Sequence, residues 1–196
     1  ANAGGVTLVA TADIRREVTG LGVPLDAIGV FRRPEPRSLT DVIDSSTRLV
    51  VFDGIDNPSN VGSIVRSAAA LGWDGLLLDT TSSDPLARRA LRVAMGTTFA
   101  LPHARYGSPT ELLEALTARG FEIVGLTPTH PTRLVVDVAE IPATQTPRAL
   151  VLGSERSGLS AQMADACTHL ARIPMREGID SLNVAIAAGI ACYALR

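Results

Sequence analysis

Asp180, Ser181 and Asn183 stand directly in front of a segment, Leu182 to Leu195, in which nearly every residue is apolar. That run reads as a helix buried on several sides rather than a two-faced surface helix. Ser181 or Asp180 alone would satisfy the orphan N–H groups at its start. A cap needs one residue, so Asn183, one turn further in, is surplus to capping and is expected to serve chemistry. Gly153 ends the apolar run Ala149-Leu-Val-Leu152 and lets a backbone approach a flat ring. The side chains of Ile173-Pro-Met175 and Leu182 are suited to sandwich such a ring. His103, His130 and His169 are scattered without ligand spacing, and Cys167 and Cys192 form no CxxC pair, so no metal is expected.

The elements that position these residues read as alternating strands and helices. Residues 49–52 form a short apolar strand that ends in the turn formers Asp53-Gly-Ile-Asp-Asn-Pro-Ser-Asn60, and residues 61–71 form a helix stopped by Gly72. Strand, glycine-containing turn and helix make the βα unit of a parallel sheet. A strand over 75–78 follows, then a helix from Pro85 to Ala94 carrying Arg88, Arg89 and Arg92, after which the chain re-enters the sheet near His103. Ser108-Pro-Thr-Glu111 is a capping box for a helix reaching Gly120. Strands are predicted over 122–126, 149–152 and 170–173, with a short helix over 160–166 and the apolar helix last. The class is α/β with a mostly parallel sheet flanked by helices. In such sheets ligands bind at the carboxyl ends of the strands, here the loops after Leu126, Leu152 and Ile173.

Residues 1–48 read as an N-terminal extension and 49–196 as the main domain. The extension is predicted to hold a strand over 6–10, a helix over 13–21 opened by Thr11 or Asp13, and a strand over 27–31. Arg32-Arg-Pro-Glu-Pro-Arg37 then reads as an extended linker. The start has neither the basic nor the apolar region of a secretory signal, and it lacks an initiator Met, as a processed or truncated chain would.

With 196 residues, 46% hydrophobic and 19% charged, the chain is expected to build one good core, and its last helix is too short to span a bilayer. Two cysteines in apolar surroundings fit reduced thiols and a cytoplasmic setting. All 18 basic residues are arginine, the side chain best shaped for forked phosphate contacts, yet the net charge is −2. A polyanion contact would therefore be a local patch. Arg88, Arg89, Arg92, Arg105 and Arg156 are its candidates, with a solvated helix face as the alternative.

Three runs, Asn57-Pro-Ser-Asn-Val-Gly-Ser-Ile-Val-Arg66, Leu150-Val-Leu-Gly-Ser-Glu-Arg-Ser-Gly-Leu159 and Ile173-Pro-Met-Arg-Glu-Gly-Ile-Asp-Ser-Leu-Asn-Val-Ala-Ile-Ala-Ala188, occur in that order. Together they resemble the three motifs of the SpoU (TrmH-like) RNA 2'-O-ribose methyltransferases of the SPOUT class, over roughly residues 49 to 195. The resemblance implies a C-terminal deep trefoil knot, S-adenosylmethionine as cofactor, RNA as substrate and a homodimer joined through the knotted region. It implies that Thr127, Gly153, Ile173, Met175 and Leu182 contact the cofactor. Asn60, Arg66, Glu155, Ser181 and Asn183 match the family's catalytic positions. Arg66 is always protonated, so its expected role is to clamp phosphate and lower the pKa of the ribose hydroxyl. Asn60 would orient Arg66 or cap its helix, and Glu155 would hold that pair. Ser181 and Asn183 would position the ribose or the cofactor's amino acid moiety. Residues 6–37 resemble the last third of an RNA-recognition domain, and the arginines of 32–37 are a solvated loop or an RNA strap. A base-methylating relative and a non-catalytic RNA-binding dimer stay open as alternatives.

Overall fold

Successive side chains of the run Leu49-Val-Val-Phe52 point to opposite sides of a sheet, and all four are buried. Val50 and Phe52 join one hydrophobic cluster and Leu49 and Val51 another, so the strand is covered on both faces. This arrangement comes from a computed structural model, which describes residues 6–20, 22, 25–27 and 29–196. By internal contacts the chain falls into two units, Ala1–Glu35 and Pro36–Arg196.

The larger unit holds, in chain order, α2 (Leu39–Asp44), β1 (Arg48–Asp53), α3 (Pro58–Ala70), β2 (Gly75–Leu78), α4 (Arg88–Ala94) and β3 (His103–Arg105). It continues with α5 (Pro109–Ala118), β4 (Glu122–Leu126), β5 (Val135–Asp137), β6 (Arg148–Gly153), α6 (Ala161–Ala166), β7 (His169–Arg172) and α7 (Val184–Ala194). The seven strands are ordered β3-β2-β1-β6-β4-β7-β5, and every neighbouring pair is parallel. Helices α3, α4 and α7 cover one face and α2, α5 and α6 the other. Each Leu-sized side chain so buried contributes about 1.5–3 kcal/mol. Gly62 lets α3 lie close against α4, since a Cβ there would fall 2.4 Å from the carbonyl oxygen of Ala90.

Local chemistry sets the helix starts. Asn57 caps α3 by accepting from Ser59 N–H at 2.9 Å, so the helix begins at Pro58, three residues earlier than expected. Ser108 caps α5 through Glu111 N–H, and Glu111 answers by accepting from Gly107 rather than from the cap residue itself. The last helix departs from expectation twice. It begins at Val184, with Asn183 as its cap, so Asp180 and Ser181 lie outside it. It is also not buried on several sides: Ile186, Ile190 and Tyr193 form an exposed stripe, at 58%, 40% and 59% exposure. Its inner side packs on α3, and Trp73 donates its indole N–H to the Cys192 carbonyl at 3.0 Å.

In the smaller unit, α1 (Ala12–Thr19) is capped by Thr11 and closed by Gly20 in the left-handed region. Residues 6–10 form no strand, and Val6, Leu8 and Val9 are exposed without a sheet neighbour among the described residues. Residues 27 and 29–31 are likewise not strand; Ile28, and Leu21 at the expected helix end, lie outside the described residues. Among the described residues no helix is long and apolar enough to cross a membrane.

Candidate active site

Strands β6, β4 and β7 release the chain at one end of the sheet, and their three exits wall a cavity of about 380 Å³. Leu126, Leu152, Ile173 and Leu182 supply apolar surface, and Asp180, Ser181 and Ser154 a polar edge. All five residues matched to cofactor contacts, Thr127, Gly153, Ile173, Met175 and Leu182, line this cavity, as do Glu155, Ser181 and Asn183. Pro128, Arg172 and Ala187 line it as well and were not singled out from the sequence. Arg172 is paired to Asp137 at 2.8 Å, which pushes its guanidinium pKa up.

Gly153 is also required by the fold of its own loop. A Cβ there would meet the backbone of Gly158 at 2.2 Å and of Leu159 at 2.3 Å, because the chain folds back on itself. Ser154 and Gly158 exchange backbone hydrogen bonds at 3.0 and 2.9 Å, and Ser154 Oγ accepts from Arg156 and Ser157 N–H. Asp53 at the end of β1 anchors the far side by accepting from Ser160 N–H at 2.6 Å. This tight loop presents Glu155.

Glu155 Oε1 accepts from the carboxamides of Asn60 at 2.9 Å and Asn183 at 3.1 Å. Asn183 also donates to Asn60 Oδ1 at 3.1 Å. Asn183 Oδ1 takes the N–H groups of Ala185 and Ile186, so its amide nitrogen must face the other two residues. That orientation in turn sets Asn60, whose oxygen meets Asn183 and whose nitrogen meets Glu155. Asn60 is N3 of α3, only 7% exposed, and Asn183 opens α7. The carboxylate therefore sits at two helix N-termini, where the dipoles favour negative charge. Capping and network formation turn out to be one job for Asn183, since each end of its amide does one of them.

Arg66 does not join this cluster. Six residues along α3 rotate it about 240° from Asn60, it is exposed, and among the described residues it makes no hydrogen bond or ion pair. Ser181 lines the cavity but likewise makes no hydrogen bond among the described residues. Arg88, Arg89 and Arg92 are exposed on α4, and Arg156 is exposed on the loop beside Glu155. Arg105 is committed elsewhere, donating to the carbonyls of Asp79 and Ser82. No group of three His, Cys, Asp or Glu among the described residues could hold a metal ion. Burial pushes the thiols of Cys167 and Cys192 up to about 12, which leaves neither as a nucleophile.

Known proteins resemble this chain in sequence and in fold. A tRNA/rRNA methyltransferase of Mycobacterium bovis, itself uncharacterized, is 38% identical over 186 residues, covering 94% of this chain and 64% of that protein. The chain thus spans less than two thirds of that relative's length. The SpoU methyltransferase AviRb of Streptomyces viridochromogenes, solved in complex with AdoMet, superposes with a TM-score of 0.72 at 30% identity, over 81% of this chain and 63% of its own. The crystal structure of an RNA 2'-O ribose methyltransferase superposes with a TM-score of 0.66 at 27% identity, over 88% of this chain and 60% of its own. The model of the SpoU rRNA Methylase family matches residues 47–193, a span that takes in every strand of the sheet and all three walls of the cavity. This chain belongs to that family of RNA methyltransferases.

Proposed function

We propose that the chain carries the catalytic domain, residues 49–196, of an RNA 2'-O-ribose methyltransferase that uses S-adenosylmethionine, acts on ribosomal RNA in preference to transfer RNA, and works in the cytoplasm as a homodimer. The observation that carries this reading is the Asn60–Glu155–Asn183 network at the mouth of a cavity walled by three strand ends. The cavity suits the cofactor: apolar walls from Leu126, Leu152, Ile173 and Leu182 fit a ring, and the polar edge at Asp180 and Ser181 fits hydroxyl and amino groups. Bound S-adenosylmethionine would supply an electrophilic methyl group.

The chain's own residues would then do the positioning. A ribose hydroxyl is a poor nucleophile at neutral pH, so it must be aligned and relieved of its proton. Ser181, which lines the cavity with a hydroxyl free of other partners among the described residues, is assigned to hold the ribose or the cofactor's amino acid moiety. Glu155, held by two carboxamides, keeps the mouth of the cavity in one shape. Arg66, exposed and unpaired among the described residues, is assigned to the RNA phosphate, where its fixed charge favours the deprotonated hydroxyl. Arg88, Arg89, Arg92 and Arg156 would add phosphate contacts.

Two features of the fold support the finer claims. Strand β7 enters the sheet between β4 and β5, two earlier strands already joined to each other, and the chain then continues into α7. That order supports a C-terminal segment threaded through the β4–β6 region as a knot, a rare topology. The apolar stripe of Leu182, Ile186, Ile190 and Tyr193 lies on the same segment and supports a homodimer through it.

Incubating the protein with radiolabelled S-adenosylmethionine and separate ribosomal and transfer RNA fractions, then digesting to nucleosides, tests the reading. Label in a 2'-O-methyl nucleoside is expected. Label on a base would move the assignment to the base-methylating relatives, and RNA binding with no transfer would make the protein a non-catalytic binder.

A further inference from the structure

Parallel strands are ordinarily joined by a crossover of a dozen or more residues, usually a helix. The crossover from β4 to β5 is residues 127–134, with neither helix nor strand, yet its first two residues, Thr127 and Pro128, wall the cavity. Past Thr127, whose N–H donates to the Ala171 carbonyl of β7 at 2.8 Å, the segment has no ladder and has to be held by other bonds. Thr127 Oγ1 donates to the Thr129 carbonyl at 2.9 Å. Nδ1 of His130 accepts from Arg133 N–H at 3.1 Å and, less closely, from Thr132 N–H at 3.4 Å. Arg133 then reaches across to the end of α6, donating to the Ala164 carbonyl, to Cys167 at 2.7 Å and to Asp165 at 3.2 Å. These are carbonyls at a helix C-terminus, where a cation is favoured.

Acceptance at Nδ1 leaves the His130 proton on Nε2, which lies 4.0 Å from Asp165 Oδ1. The connection that Arg133 grips is central to the cavity. Helix α6 follows the loop that presents Glu155, the second wall, and leads into β7, whose exit is the third. One guanidinium therefore ties the first wall to the element that links the other two. Neither His130 nor Arg133 lines the cavity.

We propose that His130 and Arg133 are positioning residues for the cofactor, holding the helix-free β4–β5 crossover beyond its ladder bond at Thr127, so that Pro128 and the Thr127 side chain form a fixed wall for bound S-adenosylmethionine. This rests on the cofactor reading of the cavity given above. The test is calorimetric titration of S-adenosylmethionine into the wild type and the Arg133→Ala, His130→Ala and His130→Asn variants, with Tm recorded for each. Both alanine variants are expected to bind about tenfold more weakly, the scale on which lost supporting partners and lost preorganisation act. Their Tm should move by no more than about 4 °C. His130→Asn should recover most of the affinity, because its carboxamide oxygen can accept the same N–H groups. Alanine variants that bind as tightly as the wild type would overturn the proposal. So would affinity that falls only in step with Tm, or an asparagine variant no better than alanine. Failure of the cofactor reading looks different: the wild type itself would take up no S-adenosylmethionine, and this inference would fall with it.

Discussion

The two ends of the parallel sheet are built from the same strands and use polar side chains in opposite ways. At the amino ends, polar groups are tied to one another. Arg148, 1% exposed, bonds Glu122 at 2.5 and 2.7 Å, the Pro142 carbonyl at 2.8 Å and the Leu195 carbonyl at 3.3 Å. His169 adds a contact to the other Glu122 oxygen at 2.9 Å. Asp74 accepts from Thr47 and Arg48 N–H, and Arg48 reaches the carbonyls of Thr144 and Thr146. At the carboxyl ends, the backbone turns tightly at Gly153, a cavity opens, and Ser181 on its lining is left without a hydrogen-bond partner among the described residues. The closed end holds the last helix and the β5–β6 connection in register, and the open end has groups to offer a ligand. Substitutions should separate stability from activity along this line.

The largest effect on stability is expected at the closed end. Arg148→Ala leaves the mostly buried Glu122 without its main partner, and breaking such a pair costs about 3–5 kcal/mol. Denaturant unfolding should show it, with the cavity's residues untouched. At the open end, Asn183→Ala removes a helix cap worth about 0.5–2 kcal/mol together with two bonds of the network. A modest fall in Tm should accompany loss of methyl transfer. An Asn183→Ala variant that keeps its turnover would show that the network is only a cap.

Arg66→Ala is the sharpest contrast. An exposed side chain without partners among the described residues should change stability by no more than about 0.5 kcal/mol. Cofactor affinity should stay nearly intact and transfer should be abolished, as single-turnover assays would report; equal loss of both would remove Arg66 from its proposed place at the RNA phosphate. The smallest effect concerns the thiols. Burial raises Cys167 and Cys192 from an ordinary value of 9.0 to about 12. Both should resist alkylation at pH 8 until the chain is unfolded. As pH rises above 9.0 the unfolded thiols ionise first, so the stability from keeping them neutral, complete below that pH, is lost on the way to about 12.

Much of the open end was legible in the residues, and the reasons are physical. The run Ala149-Leu-Val-Leu152 is apolar throughout because both faces of its strand are covered, so period and burial agree. Val135–Asp137 was not legible as a strand: it is three residues long, half-buried, and pairs only with β7, which the chain forms later. Residues 6–10 show the opposite error. Their β-forming side chains read as a strand, but Val9 is 99% exposed, and local preference without a neighbouring strand forms no ladder. Within the site, Asn60, Glu155 and Asn183 lie far apart in sequence, so no spacing could connect them; only the motif resemblance did. The dual use of Asn183 was hidden because the polar residues before it looked like sufficient caps. Arg66 is the reverse case, grouped with Asn60 by its motif and turned away from it by helical geometry.

Every catalytic role proposed above requires the cavity to be a cofactor site, and calorimetric titration of the wild type with S-adenosylmethionine, repeated with S-adenosylhomocysteine, tests that directly. Saturable binding of both, near one per chain, is predicted. Absence of binding by either at millimolar concentration would contradict a cofactor site here and leave the walls at Thr127, Gly153 and Ile173 as features of the fold alone.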